Sequence, residues 1–423
     1  MHILWLKTEL LHPVDKGGRI RTYNMLRALK REHRVTYLTL DDGTAAPDAA
    51  ERATEYCHDL VRVPFAPAPK GSVRFLADLA ANVFSPLPYA VARYRSRAMR
   101  RAVEQVAAHG DVDVVVCDFL APSLNVPDGL GVPTVLFQHN VEAMIWERHA
   151  QVAANPVKKA YMGEQYRRMR RHEAAECRRF DHVVAVSPQD ADVFRRDFGV
   201  RSVSDVPTGV DTEYFRPVGG VERRPHELVF TGSMDWLPNE DAILWFAAEI
   251  LPRVRARVPD ATLAVVGRNP TAPVKALDGA NGITVTGSVP DVRPYLERGA
   301  AFVVPIRIGG GTRLKIYEAM AMERAVVSTA VGAEGLPVRD GVDALIADGP
   351  GAFADAVVAL LTDPARAAAV GREAAAMVRA RFGWDAVTAR FAADCEAVAT
   401  RAAPGGIATS VPTLPMDSPV GAS

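Results

Sequence analysis

The chain has 423 residues, with 50 basic Lys or Arg side chains and 50 acidic Asp or Glu side chains. This length exceeds that of one ordinary hydrophobic core and predicts two domains. The balanced charge gives no reason to expect a nucleic-acid-binding protein, and no apolar run approaches the length of a membrane-spanning helix. The four cysteines are scattered without a CxxC spacing, which favours a reduced, cytoplasmic compartment and no structural zinc.

The first predicted strand covers residues 3–6 and is soon interrupted by charged residues, a pattern typical of a buried strand rather than a signal peptide. Gly17 and Gly18 then open a predicted helix, and the next strand is predicted at 35–40. A glycine turn that leads into a helix N-terminus suits a phosphate. An ordinary βα turn has the same pattern without any ligand, and the residues by themselves leave both interpretations open.

Helical stretches alternate with strands through the first half of the chain, which predicts an open, mostly parallel sheet. The further strands are predicted at 60–63, 112–117, 134–137 and 182–186. Ligands of such sheets bind beyond the carboxyl ends of the strands, and His139 lies at such an end, with Asn140 and Glu142 beside it. A lone histidine is more often structural than catalytic. Glu142 either orients His139 or caps the helix that follows.

A long helix is predicted at 155–180, with eight Lys or Arg and three Glu between Lys158 and Arg179. Such a surface can contact anionic lipid or an acceptor that bears a diphosphate. The alternative, a solvated helix with Glu–Arg pairs, is slightly favoured. Four arginines between Tyr94 and Arg101 add a little to the membrane hypothesis.

The second predicted domain follows a linker at 217–225 that is rich in Pro and Gly. It begins with a strand at 228–231 and a loop from Gly232 to Asn239, and a helix is predicted at 240–258. Gly232 lets a phosphate approach the backbone, and Asn239 is expected to cap the helix.

The remaining elements continue the alternation to the end of this domain. Arg268 follows the first of two strands, predicted at 262–266 and 283–286, that each end in a glycine. Helices are predicted at 351–361, 364–381 and 384–402. From Pro404 onward the chain is rich in Pro, Gly, Ser and Thr, which predicts disorder.

The stretch at 302–337 has the strand, glycine loop, helix and strand of a βαβ unit, with strands predicted at 301–305 and 325–328. Glycine N–H groups, a helix N-terminus and two cations suit a diphosphate, and an acid further along the helix can accept hydrogen bonds from sugar hydroxyls. A tight turn with solvated charges is the alternative, which this combination of residues disfavours. The residues that carry the hypothesis are Gly309, Gly310, Gly311, Thr312, Arg313, Lys315 and Glu318.

Three segments of this stretch, GGGTRLKIYEAMA, VVST and GAEGL, resemble the C-terminal signature of retaining GT-B glycosyltransferases of the group 1, or family 4, type. VPTGVD resembles a further segment of that family, with Thr208 in place of its usual Asn. The resemblance implies an α/β GT-B fold of two doubly wound Rossmann-like domains facing across a cleft, with a C-terminal helix crossing back to the N-terminal domain. The implied bounds are 1–210 for the acceptor-binding domain, 211–383 for the nucleotide-sugar-binding domain, 384–402 for the crossing helix and 403–423 for a disordered tail.

The function that the resemblance implies is transfer of a sugar, with retention of configuration, from a nucleotide diphosphate sugar to a saccharide or lipid-linked acceptor. No metal or other cofactor is expected. His139 would contact the transferred sugar, while Arg313 and Lys315 would stabilise the leaving diphosphate. The implied donor-binding residues are Gly17, Gly18, Gly232, Asn239, Arg268, Gly309, Gly310, Gly311, Thr312 and Glu318. FQHNVEAMIWERH resembles a subgroup associated with exopolysaccharide (PEP-CTERM/exosortase) systems, and a cytoplasmic enzyme with peripheral membrane contact is expected.

Besides Thr208, three positions depart from the family pattern. Ser233 stands where many members have Arg, so charge compensation is expected from Arg313 and Lys315. Gly310 stands where a first glutamate is usual, so the donor sugar is not implied. Glu323 replaces a glycine that ends the helix, which costs a little where the backbone is left-handed.

Two other functions remain as alternatives. A sugar-nucleotide 2-epimerase of the same fold would need an acid cluster with a histidine around the sugar. A non-catalytic nucleotide-sugar-binding protein would keep the phosphate site without turnover. A dehydrogenase is disfavoured because no GxGxxG motif follows a strand with an acid about twenty residues on.

Overall fold

The computed structural model describes residues 1–14, 17–69, 71–152, 155–308 and 314–402, without the side chains of residues 148, 149, 151, 152 and 158. The chain divides into two compact units. The first comprises Met1–Val184, Asp192–Ser204 and the chain from Ala389 onward, and the second comprises Ala185–Ala191 and Asp205–Thr388.

The first unit is built on a seven-stranded sheet of order β3-β2-β1-β4-β5-β6-β7, in which every pair with a described register is parallel. Its strands are β1 His2–Lys7, β2 Arg34–Asp41, β3 Asp59–Pro64, β4 Val114–Asp118, β5 Thr134–Phe137, β6 His182–Ala185 and β7 Val203–Asp205. All residues of β1 and β4 are buried, because helices cover both faces of a parallel sheet and its central strands are therefore apolar nearly throughout.

In the described part of the chain up to residue 196, seven α-helices lie between these strands in the sequence. They are α1 Gly17–Leu29, α2 Val73–Asn82, α3 Tyr89–Ala92, α4 Arg97–Ala107, α5 Glu142–Val152, α6 Pro156–Arg179 and α7 Pro188–Arg196. Short 3₁₀ helices lie at Glu51–Glu55 and Ser123–Asn125.

The second unit has a six-stranded sheet of order β10-β9-β8-β11-β12-β13, again parallel in the described pairs. Its strands are β8 Glu227–Thr231, β9 Thr262–Val266, β10 Ile283–Gly287, β11 Ala301–Val304, β12 Ala325–Ser328 and β13 Leu345–Ile346. Its helices are α8 Leu237–Trp245, α9 Leu251–Arg255, α10 Ala272–Lys275, α11 Arg293–Arg298, α12 Leu314–Ala321, α13 Pro350–Thr362 and α14 Pro364–Phe382. The prediction of two α/β domains with parallel sheets is confirmed.

Two prolines explain why the helix predicted at 240–258 differs in the structure. Pro238 lies at the start of α8, where its fixed φ suits the first helical turn, so the helix begins at Leu237. Pro252 lies at the start of α9, where a continuous α-helix would bring its ring against the carbonyl group four residues earlier. A π-helical segment, Phe246–Ile250, therefore separates α8 from α9.

The chain passes from the first unit to the second at Asp205, a few residues before the predicted bound of 210. Val210 explains the difference, because its N–H donates to the Phe382 carbonyl oxygen over 2.8 Å. A Cβ added to Gly209 would lie 2.5 Å from the Trp384 ring, so only glycine allows this close approach. These contacts place 205–210 in the second unit.

The left-handed turn expected after α12 occurs at Glu323, with φ of 59°. Arg379 donates hydrogen bonds there, to the Ala321 carbonyl oxygen over 3.3 Å and to the Glu323 carboxylate over 3.2 Å. These bonds offset part of the cost of a non-glycine residue in this conformation.

The last helix, α15, covers Trp384–Ala402, and its residues from Ala389 belong to the first unit. Phe391 is fully buried, with its ring 5.5 Å from the Trp5 ring and 5.0 Å from the Phe137 ring. None of the helices in the described part of the chain is long and apolar enough to cross a bilayer.

We expect Phe391→Ala to destabilise the first unit by about 3–5 kcal/mol, because it removes a buried aromatic side chain and leaves a cavity. Denaturant unfolding followed by tryptophan fluorescence measures this loss. Thr400→Ala, an exposed change on the same helix, serves as the matched control. Equal stability of the two variants would contradict the packing of α15 described here.

Candidate active site

The carboxyl ends of three adjacent strands bring Lys7, Asp118 and His139 together in the first unit. Leu6 is paired with Cys117 and Asp118 with Phe137, so the residues at the ends of β1, β4 and β5 lie side by side. This is the edge of a parallel sheet where ligands bind.

Asp118 is the hydrogen-bonding centre of this cluster and is fully buried. Its Oδ2 accepts hydrogen bonds from Lys7 Nζ over 2.7 Å, Thr22 Oγ1 over 2.6 Å and Trp5 Nε1 over 3.1 Å. Its Oδ1 lies 2.7 Å from His139 Nε2. Burial by itself would raise the pKa of Asp118, but Lys7 and His139 hold that pKa well below its usual range. The carboxylate is therefore ionised.

His139 is neutral at pH 7, because burial lowers its pKa to about 4 against the opposing effect of Asp118. An ionised carboxylate only accepts hydrogen bonds, so His139 Nε2 carries the proton. The ring is held between Phe119, stacked at 3.8 Å, and Phe137, tilted at 4.7 Å. Among the described residues no hydrogen bond to His139 Nδ1 is found, which leaves this nitrogen as an acceptor for a hydroxyl group.

Gly17 and Gly18 lie at the start of α1 and differ in their surroundings. A Cβ added to Gly18 would lie 2.9 Å from the Phe119 ring, so the absence of a side chain allows that ring its place. A Cβ added to Gly17 would meet nothing within 4 Å. Gly18 thus has a structural role, while the backbone of Gly17 is open to a ligand.

The N-terminus of α5 is capped by Glu173 of α6. The Glu173 carboxylate accepts hydrogen bonds from the N–H groups of Glu142 and Ala143, each over 2.8 Å. Glu142 is the first residue of α5, and no hydrogen bond joins it to His139 within the described chain. Of the two roles considered for Glu142, neither orientation of His139 nor capping by its side chain is found.

Two of the predicted donor-binding residues, Gly232 and Asn239, come together with the predicted catalytic residue Lys315 in the second unit. Lys315 Nζ donates to Asn239 Oδ1 over 2.7 Å and lies 4.2 Å from the centre of the Phe230 ring. A Cβ added to Gly232 would lie 2.9 Å from Lys315 Nζ and 2.7 Å from Asn239 Nδ2. The absence of a side chain at Gly232 thus leaves the space that the ammonium and amide groups fill, and a larger residue there would shift them.

The prediction that Asn239 caps α8 is wrong. The helix already begins at Leu237 behind Trp236, and no side chain caps it. The Asn239 amide instead donates to the Ser233 carbonyl oxygen over 2.8 Å, and its oxygen accepts from Lys315. Asn239 is thus a buried connection between the loop after β8 and α12.

Arg268 supplies a cation to the loop after Gly232, although that loop has no cation in its own sequence. Arg268 Nε donates to Ser233 Oγ over 3.1 Å, and the Met234 N–H donates to the Arg268 carbonyl oxygen over 2.9 Å. Ser233 Oγ in turn donates to Asp235 over 2.5 Å. The predicted donor-binding residue Arg268, which follows β9, therefore lies against the loop that follows β8.

Glu318 lies three residues after Lys315 on α12, and its side chain is partly exposed. Burial raises the pKa of Glu318 to about 7, against an opposing effect of Lys315. No hydrogen bond to its carboxylate is found among the residues that the structure describes. The group is thus an acceptor for ligand hydroxyls.

The remaining residues of the glycine loop, Gly309, Gly310, Gly311, Thr312 and Arg313, lie outside the described residues. Within the described ranges no three His, Cys, Asp or Glu side chains are grouped so that they could hold a metal ion.

Two members of the first cluster, Lys7 and Asp118, were not identified from the sequence. Each is the last residue of a strand that is otherwise apolar. A charged side chain at the end of a buried strand is costly unless an opposite charge or hydrogen bonds compensate it. This sequence pattern, a charge directly after an apolar run, could have identified both residues.

Two family models match the chain. "Glycosyltransferase Family 4" matches residues 16–214, and "Glycosyl transferases group 1" matches residues 225–363. Together they cover most of the chain. The chain belongs to the group 1 and family 4 glycosyltransferases.

Two curated relatives of this family member are named as glycosyltransferases. The chain is 31% identical over 245 residues to D-inositol 3-phosphate glycosyltransferase 1 of Catenulispora acidiphila, covering 52% of this chain and 58% of that protein. It is 28% identical over 237 residues to a GDP-mannose-dependent alpha-(1-6)-phosphatidylinositol monomannoside mannosyltransferase of Mycobacterium tuberculosis, covering 50% and 60% respectively. The chain thus spans less than two thirds of the length of these relatives.

Solved structures of GT-B glycosyltransferases match nearly the whole chain. HepE from Anabaena in complex with UDP has a TM-score of 0.65 and 13% identity, covering 94% of this chain and all of that one. Sucrose-phosphate synthase from Thermosynechococcus elongatus has a TM-score of 0.62 and 18% identity, covering 93% and 98%. At these identities the likeness shows the fold, which is GT-B.

The buried pair of Lys7 and Asp118 gives a prediction about stability. We expect Asp118→Asn to destabilise this glycosyltransferase family member by about 3–5 kcal/mol, because it leaves the Lys7 charge buried without its anion. With Lys7→Met, the two changes should be non-additive, with an interaction energy of about 1–3 kcal/mol.

A double-mutant cycle measured by denaturant unfolding provides the value. The matched control is the exposed pair of Arg100 and Glu104 in the same unit, 3.4 Å apart, for which we expect at most about 0.5 kcal/mol. Additivity within error at Lys7 and Asp118 would contradict a buried, ionised pair.

The raised pKa of Glu318 predicts a pH-dependent effect of Glu318→Gln. The folded protein keeps the carboxyl protonated up to about pH 7, whereas the unfolded chain loses the proton near 4.5. Stability is therefore lost as pH rises through this window. Because the group is partly exposed, we expect the variant to be more stable by about 1–2 kcal/mol at pH 8 and equal to wild type at pH 4. Thermal unfolding at both pH values, with Glu334→Gln as an exposed control, tests this. A constant difference across the range would show that the Glu318 pKa is not raised.

Proposed function

We propose that the protein transfers a sugar from a nucleotide diphosphate sugar to an acceptor hydroxyl. The observation that supports this most directly is the position of the Lys315 ammonium group in the second unit. Asn239 holds this group beside Gly232 at the carboxyl end of β8. Glu318, with its partly exposed carboxyl group, follows Lys315 three residues later on α12. A cation beside open backbone, with a hydroxyl acceptor next to it, matches the diphosphate and ribose of such a donor.

The proposed role of Lys315 is to stabilise the negative charge that grows on the leaving diphosphate. A positioned charge at the point where charge develops is commonly the largest single contribution to catalysis. Arg268, against Ser233 on the same loop, is proposed as a second cation. Glu318 is proposed to accept hydrogen bonds from the ribose. Arg313 and the N–H groups of the glycine loop are also proposed to bind the diphosphate. These residues lie outside the described part of the chain.

His139 is proposed to accept a hydrogen bond from a hydroxyl of the transferred sugar through Nδ1. The neutral ring, the proton fixed on Nε2 by Asp118 and the aromatic rings on both sides support this role. The buried Lys7 pairs with Asp118 over 2.7 Å, and the buried Arg21 lies 4.5 Å from the centre of the Phe137 ring. The start of α1 at Gly17 supports an anionic group of the donor there.

We propose that transfer needs no metal, because Lys315, Arg268 and Arg313 can neutralise the diphosphate. We further propose retention of configuration, with the acceptor attacking on the face that the diphosphate leaves and the leaving phosphate taking the acceptor proton. The anomeric configuration of the product, read by NMR spectroscopy, tests retention.

The proposed acceptor is a saccharide or a lipid-linked saccharide of exopolysaccharide or other cell-surface glycan synthesis, used in the cytoplasm at the membrane face. The motif FQHNVEAMIWERH supports the exopolysaccharide assignment. The curated relatives are named for inositol phosphate and phosphatidylinositol mannoside, so inositol-containing acceptors belong in the same acceptor panel.

An epimerase is less well supported, because the carboxylate nearest His139 is not free to move a proton to or from a substrate. Asp118 is fully buried and already accepts four hydrogen bonds. Turnover of a nucleotide sugar to its epimer without an acceptor would favour that function. Donor binding without turnover under any acceptor would favour a binding protein.

The experiment is a panel of nucleotide diphosphate sugars with the purified chain in the presence of a chelator. Thermal stabilisation by one donor, with release of its nucleotide when an acceptor is added, is the expected result. Stabilisation by none of the donors would overturn the proposal.

We expect Lys315→Ala to lower the rate of nucleotide release by about 10²–10³-fold, the scale of losing one electrostatic donor to the transition state. Initial rates at saturating donor measure this. Lys275→Ala, which removes an exposed lysine of the same unit, should leave the rate unchanged. Equal rates in both variants would remove Lys315 from the proposed chemistry.

A further inference from the structure

Helix α2 presents its apolar side to solvent. The exposed fraction is 85% for Val73, 59% for Leu76, 56% for Val83 and 91% for Phe84. Helical spacing places Val73, Leu76 and the exposed Ala80 on one face of α2, and Val83 and Phe84 directly follow the last residue of the helix. We call Val73, Leu76, Val83 and Phe84 the α2 patch. A contiguous exposed patch of large apolar side chains marks an interaction surface rather than an ordinary protein surface.

The C-terminal end of α2 is held by polar contacts with α6. Arg168, itself largely buried, donates to the carbonyl oxygens of Asn82 over 2.6 Å and Val83 over 2.9 Å. Gln165 Nε2 donates to Asn82 Oδ1 over 3.4 Å. These contacts hold the end of α2 against α6, while the side chains of the patch remain exposed.

Positive charge borders the patch, although the whole chain is neutral. Arg74 is exposed on α2, and Arg167 and Arg171 are exposed on α6 on either side of the docking residue Arg168. The acids in this region are Asp78 on α2 and Glu164 on α6, and Glu164 already pairs with Arg167 and Arg168 over 2.8 Å each. The border thus has a positive balance.

This combination favours an anionic lipid surface as the occupant of the patch. Apolar and aromatic side chains with a basic border are the features by which helices lie in the membrane interface, and basic residues add attraction to anionic lipids. A second copy of the chain is disfavoured, because symmetric pairing through the patch would bring two basic borders together.

The structure also shows why α6, the helix first considered for membrane contact, fits that role less well. Three of its arginines are used inside the unit. Arg168 docks α2, Arg178 donates to the Phe198 carbonyl oxygen over 2.7 Å, and Arg179 donates to the Ser123 carbonyl oxygen over 2.9 Å. The contribution of α6 is the border formed by Arg167 and Arg171.

We propose that the α2 patch docks the protein on an anionic bilayer, with Phe84 and Leu76 in the interface and Arg74, Arg167 and Arg171 near the headgroups. This assignment rests on the proposed function, which includes peripheral membrane contact, and it identifies the α2 patch as the surface that makes this contact. Donor binding in the second unit does not depend on it.

The test is flotation of the purified full chain with vesicles of phosphatidylcholine, with or without phosphatidylglycerol. We expect binding to the anionic vesicles, weakened by salt, and little binding to the neutral ones. Leu76→Asp with Phe84→Asp should lower the partition coefficient at least tenfold. Val218→Asp, at an exposed valine of the second unit, should leave it unchanged. Arg171→Glu should weaken binding about fivefold or more on anionic vesicles only, the scale of one basic residue near a charged surface.

Equal binding by wild type and the double variant would overturn the proposal, as would equal binding to neutral vesicles. A dimer in solution that Phe84→Asp dissociates, with no vesicle binding, would assign the patch to a second copy and overturn it as well. Thermal stabilisation by the donor is measured on the same preparations. Loss of vesicle binding with donor stabilisation intact is the expected result for the double variant and shows that the protein is folded. Donor stabilisation in wild type without vesicle binding would overturn the proposal that the α2 patch docks on a bilayer, but it would not contradict the proposed sugar transfer.

Discussion

The carboxylate of Asp118 is fully buried and ionised, and Lys7, Thr22, Trp5 and His139 surround it with hydrogen bonds. A buried charge is costly unless partners compensate it. Here the compensation joins the ends of β1, β4 and β5 to the first turns of α1. The same bonds fix which nitrogen of His139 carries the proton. The Lys7–Asp118 ion pair therefore connects two strand ends, and the hydrogen bond from His139 to the same carboxylate sets the chemical state of the histidine.

In the second unit, the cation at the carboxyl edge of the sheet comes from a helix rather than from a strand. Lys315 projects from a helix, and its position depends on the absence of a side chain at Gly232 and on the amide of Asn239. Glycines at the ends of neighbouring strands let the backbones approach, since a Cβ at Gly267 would overlap the carbonyl oxygen of Gly232. In both units the side chains that matter lie at the carboxyl end of a strand, as Lys7 and Asp118 do, or just after one, as His139 does, or they reach the same edge from a following helix.

Much of the fold could be predicted from local patterns. The strands at 134–137, 262–266 and 325–328 agree with β5, β9 and β12, because a short apolar run bounded by turn residues is a strong local signal. The two short edge strands β7 and β13 were not predicted, since two or three residues carry no periodicity. The start of α8 was misplaced because Pro238 was not recognised as a residue of the first helical turn.

The site was predicted only in part, because some of its residues lie far apart in the sequence and become neighbours only through the order of the strands. His139 was found because it follows a clear strand, and Lys315 because it lies in a recognisable motif. Asp118 lies 111 residues from Lys7, and only the strand order makes them neighbours. The two predicted strands stopped one residue short of each charge, so the rule about strand ends was applied to His139 alone. The contact of Arg268 with Ser233, 35 residues apart, depends in the same way on β8 and β9 being adjacent.

The central claim is that the Lys315 group binds the diphosphate of the donor. The most direct measurement is an experimental structure of the chain with the nucleoside diphosphate of the donor that the panel identifies. We expect the diphosphate within hydrogen-bonding distance of Lys315 Nζ and the ribose hydroxyls on the Glu318 carboxylate. A nucleotide bound elsewhere, with Lys315 still held only by Asn239 and its present neighbours, would contradict it.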